Sequence, residues 1–155
     1  MANTINNLDD STIGFVLDDG GRAAAGFKGN TGDCVVRAIC IATKMDYQSV
    51  YDEMFRRNRL HHESKGLSMG KASPRNGSHK AVYGPYLTEL GWVWTPTMFI
   101  GAGCKVHLRS DELPSGVVIV RLSRHIATVI DGVLHDSHDS SRDGARCVYG
   151  HWTRQ

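Results

Sequence analysis

No run of apolar residues in this 155-residue chain approaches the ~18–20 needed to cross a bilayer as a helix, so a helical membrane span is excluded. The four cysteines, Cys34, Cys40, Cys104 and Cys147, include no CxxC pair, which removes the common zinc-finger and dithiol redox motifs. Residues 1–7 are polar and lack the apolar core of a secretion signal, so a cytoplasmic location is expected. In that reducing compartment all four cysteines are expected as free thiols, three of them small buried residues. The net charge is only +2, too small to imply nucleic-acid binding by itself. The most basic stretch, 56–80, contains no Phe, Tyr or Trp, so it offers bases no stacking platform and nucleic acid is disfavoured as a partner.

What is present suits one packed domain: 41% hydrophobic and 22% charged residues over a single-domain length. Residues 1–12 read as a flexible tail and 13–155 as the domain. Residues 13–17 read as a strand, the Asp-Asp-Gly-Gly that follows as a turn, and 22–27 as a return strand. An all-apolar helix is predicted over about 34–43. Asp46 then caps a second helix, whose Tyr47, Val50, Tyr51, Met54 and Phe55 form one apolar stripe. From Arg56 to His79 the chain is polar, rich in glycine and expected to be irregular, a flap over a cleft that selects an acidic or polar partner. A third helix is predicted from about 82–85, with Pro85 in its first turn and Gly91 ending it. Strands follow at 92–94, 117–120, 125–130, 133–136 and 147–149. Helices early and strands late make the fold class α+β, with N-terminal helices packed on a C-terminal antiparallel sheet.

The chemistry concentrates at two places. Cys34 heads the first predicted helix, where the unpaired N–H groups and the helix dipole favour a thiolate. His125 opens a hairpin whose Asp131-Gly132 turn pairs Ile130 with Val133 and Thr128 with His135. That register puts His125 and Asp136 on one face, about 7–8 Å apart at the backbone, within reach of an imidazole–carboxylate hydrogen bond. A thiol, an imidazole and a carboxylate make a nucleophile, a base and an orienting group. Asp33 reads as the cap of the Cys34 helix and as a partner for Arg37, four residues on. The cluster His135, Asp136, His138 and Asp139 is poor for a shared metal, because the histidines are expected on opposite faces; no metal and no cofactor is assigned. Ser140 to Gly144 read as a turn with no function.

The order of Cys34 heading a buried helix, then His125 and Asp136 on a later sheet, resembles the papain-like cysteine peptidase superfamily. It is most similar to small members such as the peptidase domains of bacteriocin exporters. A papain-like fold and acyl-transfer chemistry on a protein or peptide substrate are what that resemblance implies. Where the family places an oxyanion glutamine before the cysteine, this chain has Asn30, the substitute donor beside the Cys34 N–H. Over about 20–152 the chain also resembles a group of short bacterial and phage proteins with similar Gly-Asp-Cys-Val-Val-Arg-Ala, Gly-Trp-Val-Trp-Thr-Pro-Thr-Met and Arg-Cys-Val-Tyr-Gly-His-Trp segments. That likeness brings no activity.

Two readings follow. One is a cysteine-dependent hydrolase of peptide, isopeptide or amide bonds using Cys34, His125 and Asp136. The other is a catalytically inactive binding protein on the same fold that grips a host protein. In both, Trp94, Lys71 and Arg75 are expected along the cleft or partner surface.

Overall fold

The computed structural model describes residues 12–29 and 32–154; the tail assigned to 1–12 therefore lies, apart from Thr12, outside the described residues. Three helices pack on one face of a six-stranded mixed sheet, an α+β architecture. The sheet order is β1-β5-β4-β3-β6-β2, with β1 Gly14–Leu17, β2 Trp92–Pro96, β3 Val117–Leu122, β4 His125–Ile130, β5 Val133–Asp136 and β6 Gly150–Arg154. Its pairs are antiparallel except β1 with β5, which run parallel. The expectation of a wholly antiparallel sheet is corrected there. The N-terminal strand joins an edge from far away in sequence, and no hairpin constrains its direction.

Helix α1, Cys34–Thr43, has the predicted bounds. It is apolar on nearly all sides, Arg37 excepted, because it is enclosed by α2, Tyr47–Lys65, and by the sheet. Asp46 caps α2 as expected, accepting from the Ser49 N–H at 3.0 Å. The helix then runs on to Lys65 through the segment expected to be irregular. No helix-breaking glycine occurs before Gly66, and the polar turns are laced by Glu53 with Arg56 and Arg57. Gly66 ends it at φ 65°, with the Leu67 N–H returning to the His62 carbonyl. Only 66–79 is short turns, with 3₁₀ pieces at Met69–Lys71 and Pro74–Asn76.

Helix α3, Lys80–Glu89, starts earlier than expected, so Pro85 lies inside it on an exposed face, one turn past the start. Residues 22–27 form successive turns and no strand. Asp19 holds that turn by accepting from the Gly21 and Ala23 N–H groups. The strand expected at 147–149 is displaced to β6. The backbone of 146–148 is engaged by 106–108 instead, through Leu108 N to Arg146 O and Val148 N to Val106 O.

The sheet has a core on each face. Ile119, Ile126 and Trp152 pack under the helices, whereas Val118, Val120, Ala127, Val129 and Leu134 pack under the loops carrying Leu108 and Val148. On that loop side Cys104 and Cys147 form a disulfide, with Cα atoms 5.9 Å apart. The expectation of four free thiols is corrected for this pair: Cys104 is exposed, Cys147 half-buried, and the loops bring them together across 43 residues. Cys40 is a buried free thiol, and Cys34 is free and half-buried.

Candidate active site

The hairpin register is as predicted, with Ile130 opposite Val133 and Thr128 opposite His135. Beyond that last pair, Asp136 continues onto β1 and its carbonyl accepts from the Asp18 N–H. Strand alternation leaves His125 and Asp136 on one side, and their side chains meet: His125 Nε2 lies 2.6 Å from Asp136 Oδ2. The imidazole is 10% exposed and the carboxylate 4%, so the pair is shielded from bulk water.

With Nε2 held by Asp136, Nδ1 is the ring nitrogen not taken by that bond, and Cys34 lines the same cleft as His125. Burial pulls the imidazolium down, but the Asp136 hydrogen bond and the influence of Asp136 and Cys34 outweigh it and raise His125 from 6.5 to about 9. Burial pushes the Asp136 carboxyl up; the His125 bond and charge, the Ser137 N–H and the Ser140 hydroxyl outweigh it and hold the group below its ordinary 3.8. At neutral pH the pair is an imidazolium and a carboxylate.

Ser140 and Ser137 carry no sequence signal, whereas the Asp33–Arg37 pair is the one expected from their spacing. Ser140, read as part of an idle turn, is buried and donates to Asp136 Oδ2 at 3.0 Å. The Ser137 N–H donates to Oδ1 at 2.7 Å. Arg37 reaches from α1 with Nη2 3.9 Å from Asp136 Oδ1, while its Nη1 binds Asp33 at 2.5 Å. Asp33 does not cap α1 with its side chain. It is taken instead by Arg37, by Arg22 Nε at 3.1 Å and by the Tyr47 hydroxyl, a fully buried charge network. The first-turn N–H of Cys34 has no intrahelical acceptor. Asn30, the expected second oxyanion donor, lies outside the described residues.

Cys34 and His125 open onto a cleft of about 1040 Å³. Lys71 and Arg75 line it, as do Lys80, Tyr83 and Arg121. The flap is anchored: Arg75 donates to the Lys28 carbonyl and covers the Phe27 ring, and Ser73 meets the Tyr51 hydroxyl at 3.0 Å. Trp94 is set back from the cleft, packed on Trp152 at 5.2 Å between ring centres, with Lys80 Nζ 3.9 Å over its ring. His138, exposed, lies with its ring 5.3 Å from that of His125. Donor atoms of His125, Asp136 and His138 fall within 4.8 Å of one another, the one group among the described residues that could ligate a metal. A metal there would have to take ligand atoms that already bond each other. His135 points elsewhere, towards Asp18 at 3.5 Å.

Comparison with protein-family models, with curated proteins and with solved structures finds no match for this chain. The chemistry of the cleft therefore rests on its own side chains. A thiol at a helix start and an imidazole share that cleft, and a buried carboxylate is bonded to the imidazole. No helix among the described residues is long and apolar enough to cross a membrane.

Proposed function

We propose that this chain is a cysteine-dependent acyl-transfer enzyme with papain-like topology, hydrolysing a peptide, isopeptide or amide bond. The observation that carries this reading is the His125 Nε2–Asp136 Oδ2 bond of 2.6 Å, with that imidazole and Cys34 on the wall of one cleft. Cys34 Sγ attacks the substrate carbonyl carbon as a thiolate, forming a C–S bond. The tetrahedral oxyanion is met by the Cys34 N–H at the start of α1. The C–N bond then breaks, and the amine leaves with the proton from His125. Water attacks the thioester, gives its proton to His125, and the carboxylic acid departs as Cys34 is restored. Asp136 orients the ring and stabilises its charged form throughout.

Cys40 supplies an internal control. Burial, then the charges of Asp46 and Asp33, push its thiol up to about 12, so it is inert near neutrality. Iodoacetamide labelling read by mass spectrometry at about pH 6, well below the ordinary thiol range, tests the site. Rapid labelling of Cys34 alone, slowed at least about 100-fold in His125→Ala, is the expected result. Labelling of Cys34 no faster than Cys40 would refute catalysis and favour the reading of an inactive binding protein that engages a host protein.

A further inference from the structure

Several arginines of this chain are paired with carboxylates, whereas Lys71, Lys80, Arg121 and Arg124 of the cleft wall have no carboxylate partner among the described residues. Arg22, Arg37, Arg56, Arg57 and Arg109 each sit within 4 Å of a carboxylate. Of the unpaired four, Lys80 and Arg121 are half-buried and line the cleft with Cys34. No Asp or Glu occurs among the described residues that line the cleft.

Both cations lie on the wall of the cleft. Arg121 lines it together with Tyr83 and Cys34. Lys80 keeps its Nζ 3.9 Å above the Trp94 ring. Burial and the like charge of Arg121 both disfavour the Lys80 ammonium. Two half-buried cations on one cleft wall favour an anion between them. Lys80 also begins α3, so the positive end of that helix opens on the same cleft.

We propose that Lys80 and Arg121 form a carboxylate pocket, so that the acyl substrate is a peptide bearing a carboxylate close to the bond attacked by Cys34. This substrate assignment rests on the acyl-transfer reading above. The carboxylate comes from an Asp or Glu side chain or from a free C-terminus, and both present the same planar anion to a guanidinium and an ammonium.

Two measurements test it. In the first, Cys34 is alkylated by iodoacetate and by iodoacetamide, reagents alike in size and leaving group that differ in charge. Lys80→Met and Arg121→Met each retain His125, and each is expected to lower the iodoacetate-to-iodoacetamide rate ratio about threefold. An unchanged ratio in both overturns the pocket even when Cys34 is fast. In the second, Cys34→Ala protein, which needs no reactive thiol, is titrated by NMR with three blocked peptides: acetyl-Gly-Asp-Gly-amide, acetyl-Gly-Asn-Gly-amide, and acetyl-Gly-Gly-Gly with a free C-terminus. Tighter binding of the Asp peptide than the Asn peptide, lost in Lys80→Met, supports the pocket with a side-chain carboxylate. Tighter binding of the free C-terminus supports it with an α-carboxylate. Equal binding of all three, or none, overturns it. A slow Cys34 beside selective peptide binding would remove the enzyme and leave the anion pocket standing.

Discussion

Thr128 on β4 donates its hydroxyl hydrogen bond to the Ala38 carbonyl of α1, at 2.7 Å and out of contact with solvent. His125 lies three residues before Thr128 on the strand, and Cys34 one helical turn before Ala38. One buried bond therefore keys the helix that carries the thiol to the strand that carries the imidazole. Thr128→Val keeps the branched shape and removes the hydroxyl. It is expected to cost about 1 kcal/mol in urea unfolding and to slow Cys34 alkylation about tenfold, since small misplacements of reacting groups are expensive. A loss of stability with an unchanged alkylation rate would refute the positioning role.

Asp136 governs the charge of His125, and its replacement by Asn keeps an acceptor while removing the anion. The His125 titration, followed by NMR, is expected to move from about 9 back towards 6.5 in Asp136→Asn. The sign for stability follows from the raised value. The stabilisation from charged His125 is complete below 6.5 and is lost as pH climbs through about 9. The lowered Asp136 acts in the other direction, with its contribution present above 3.8 and lost as pH falls through its folded value. Melting temperature should therefore decline between pH 6.5 and 9 in the wild type, and less steeply in Asp136→Asn.

Asp33 neutralises two buried arginines at once. Asp33→Asn removes the carboxylate that both share, leaving Arg37 the more distant Asp136 carboxylate at 3.9 Å, while changing almost no volume. A loss of about 3–5 kcal/mol is expected, seen as a melting temperature lower by about 10 °C. Equal stability of the variant would show that Arg22 and Arg37 are satisfied without Asp33.

The Cys104–Cys147 bridge closes a loop of 43 residues that contains β3, β4 and β5. Replacing both cysteines by serine is expected to cost about 4 kcal/mol through the entropy returned to the unfolded chain. Cys34 alkylation at 25 °C should persist in that variant, because neither cysteine touches the relay. A melting temperature unchanged by reductant would show that the bridge adds nothing to stability.

The local chemistry of the chain determined more of this than its length suggests. Alternation along 125–136 and the Asp131-Gly132 turn set the hairpin register, and that register alone places His125 beside Asp136. The apolar run from Cys34 and the Asp46 cap gave the bounds of α1 and the start of α2. Propensity misjudged 56–65, because polar residues with i,i+4 ion pairs make a good helix without an apolar stripe once an earlier turn has nucleated it.

Other features depend on contacts between segments distant in sequence. That Cys34 and His125 share one cleft was decided by the packing of α1 on β4, which brings together residues about ninety positions apart. Arg22 and Tyr47 as partners of Asp33 and Cys104 bonded to Cys147 arise in the same way. Local sequence carries propensity and register over a few residues. The partner of a buried charge, a thiol or a hydroxyl is chosen by the folded chain, where desolvation makes each such group costly to leave unpaired.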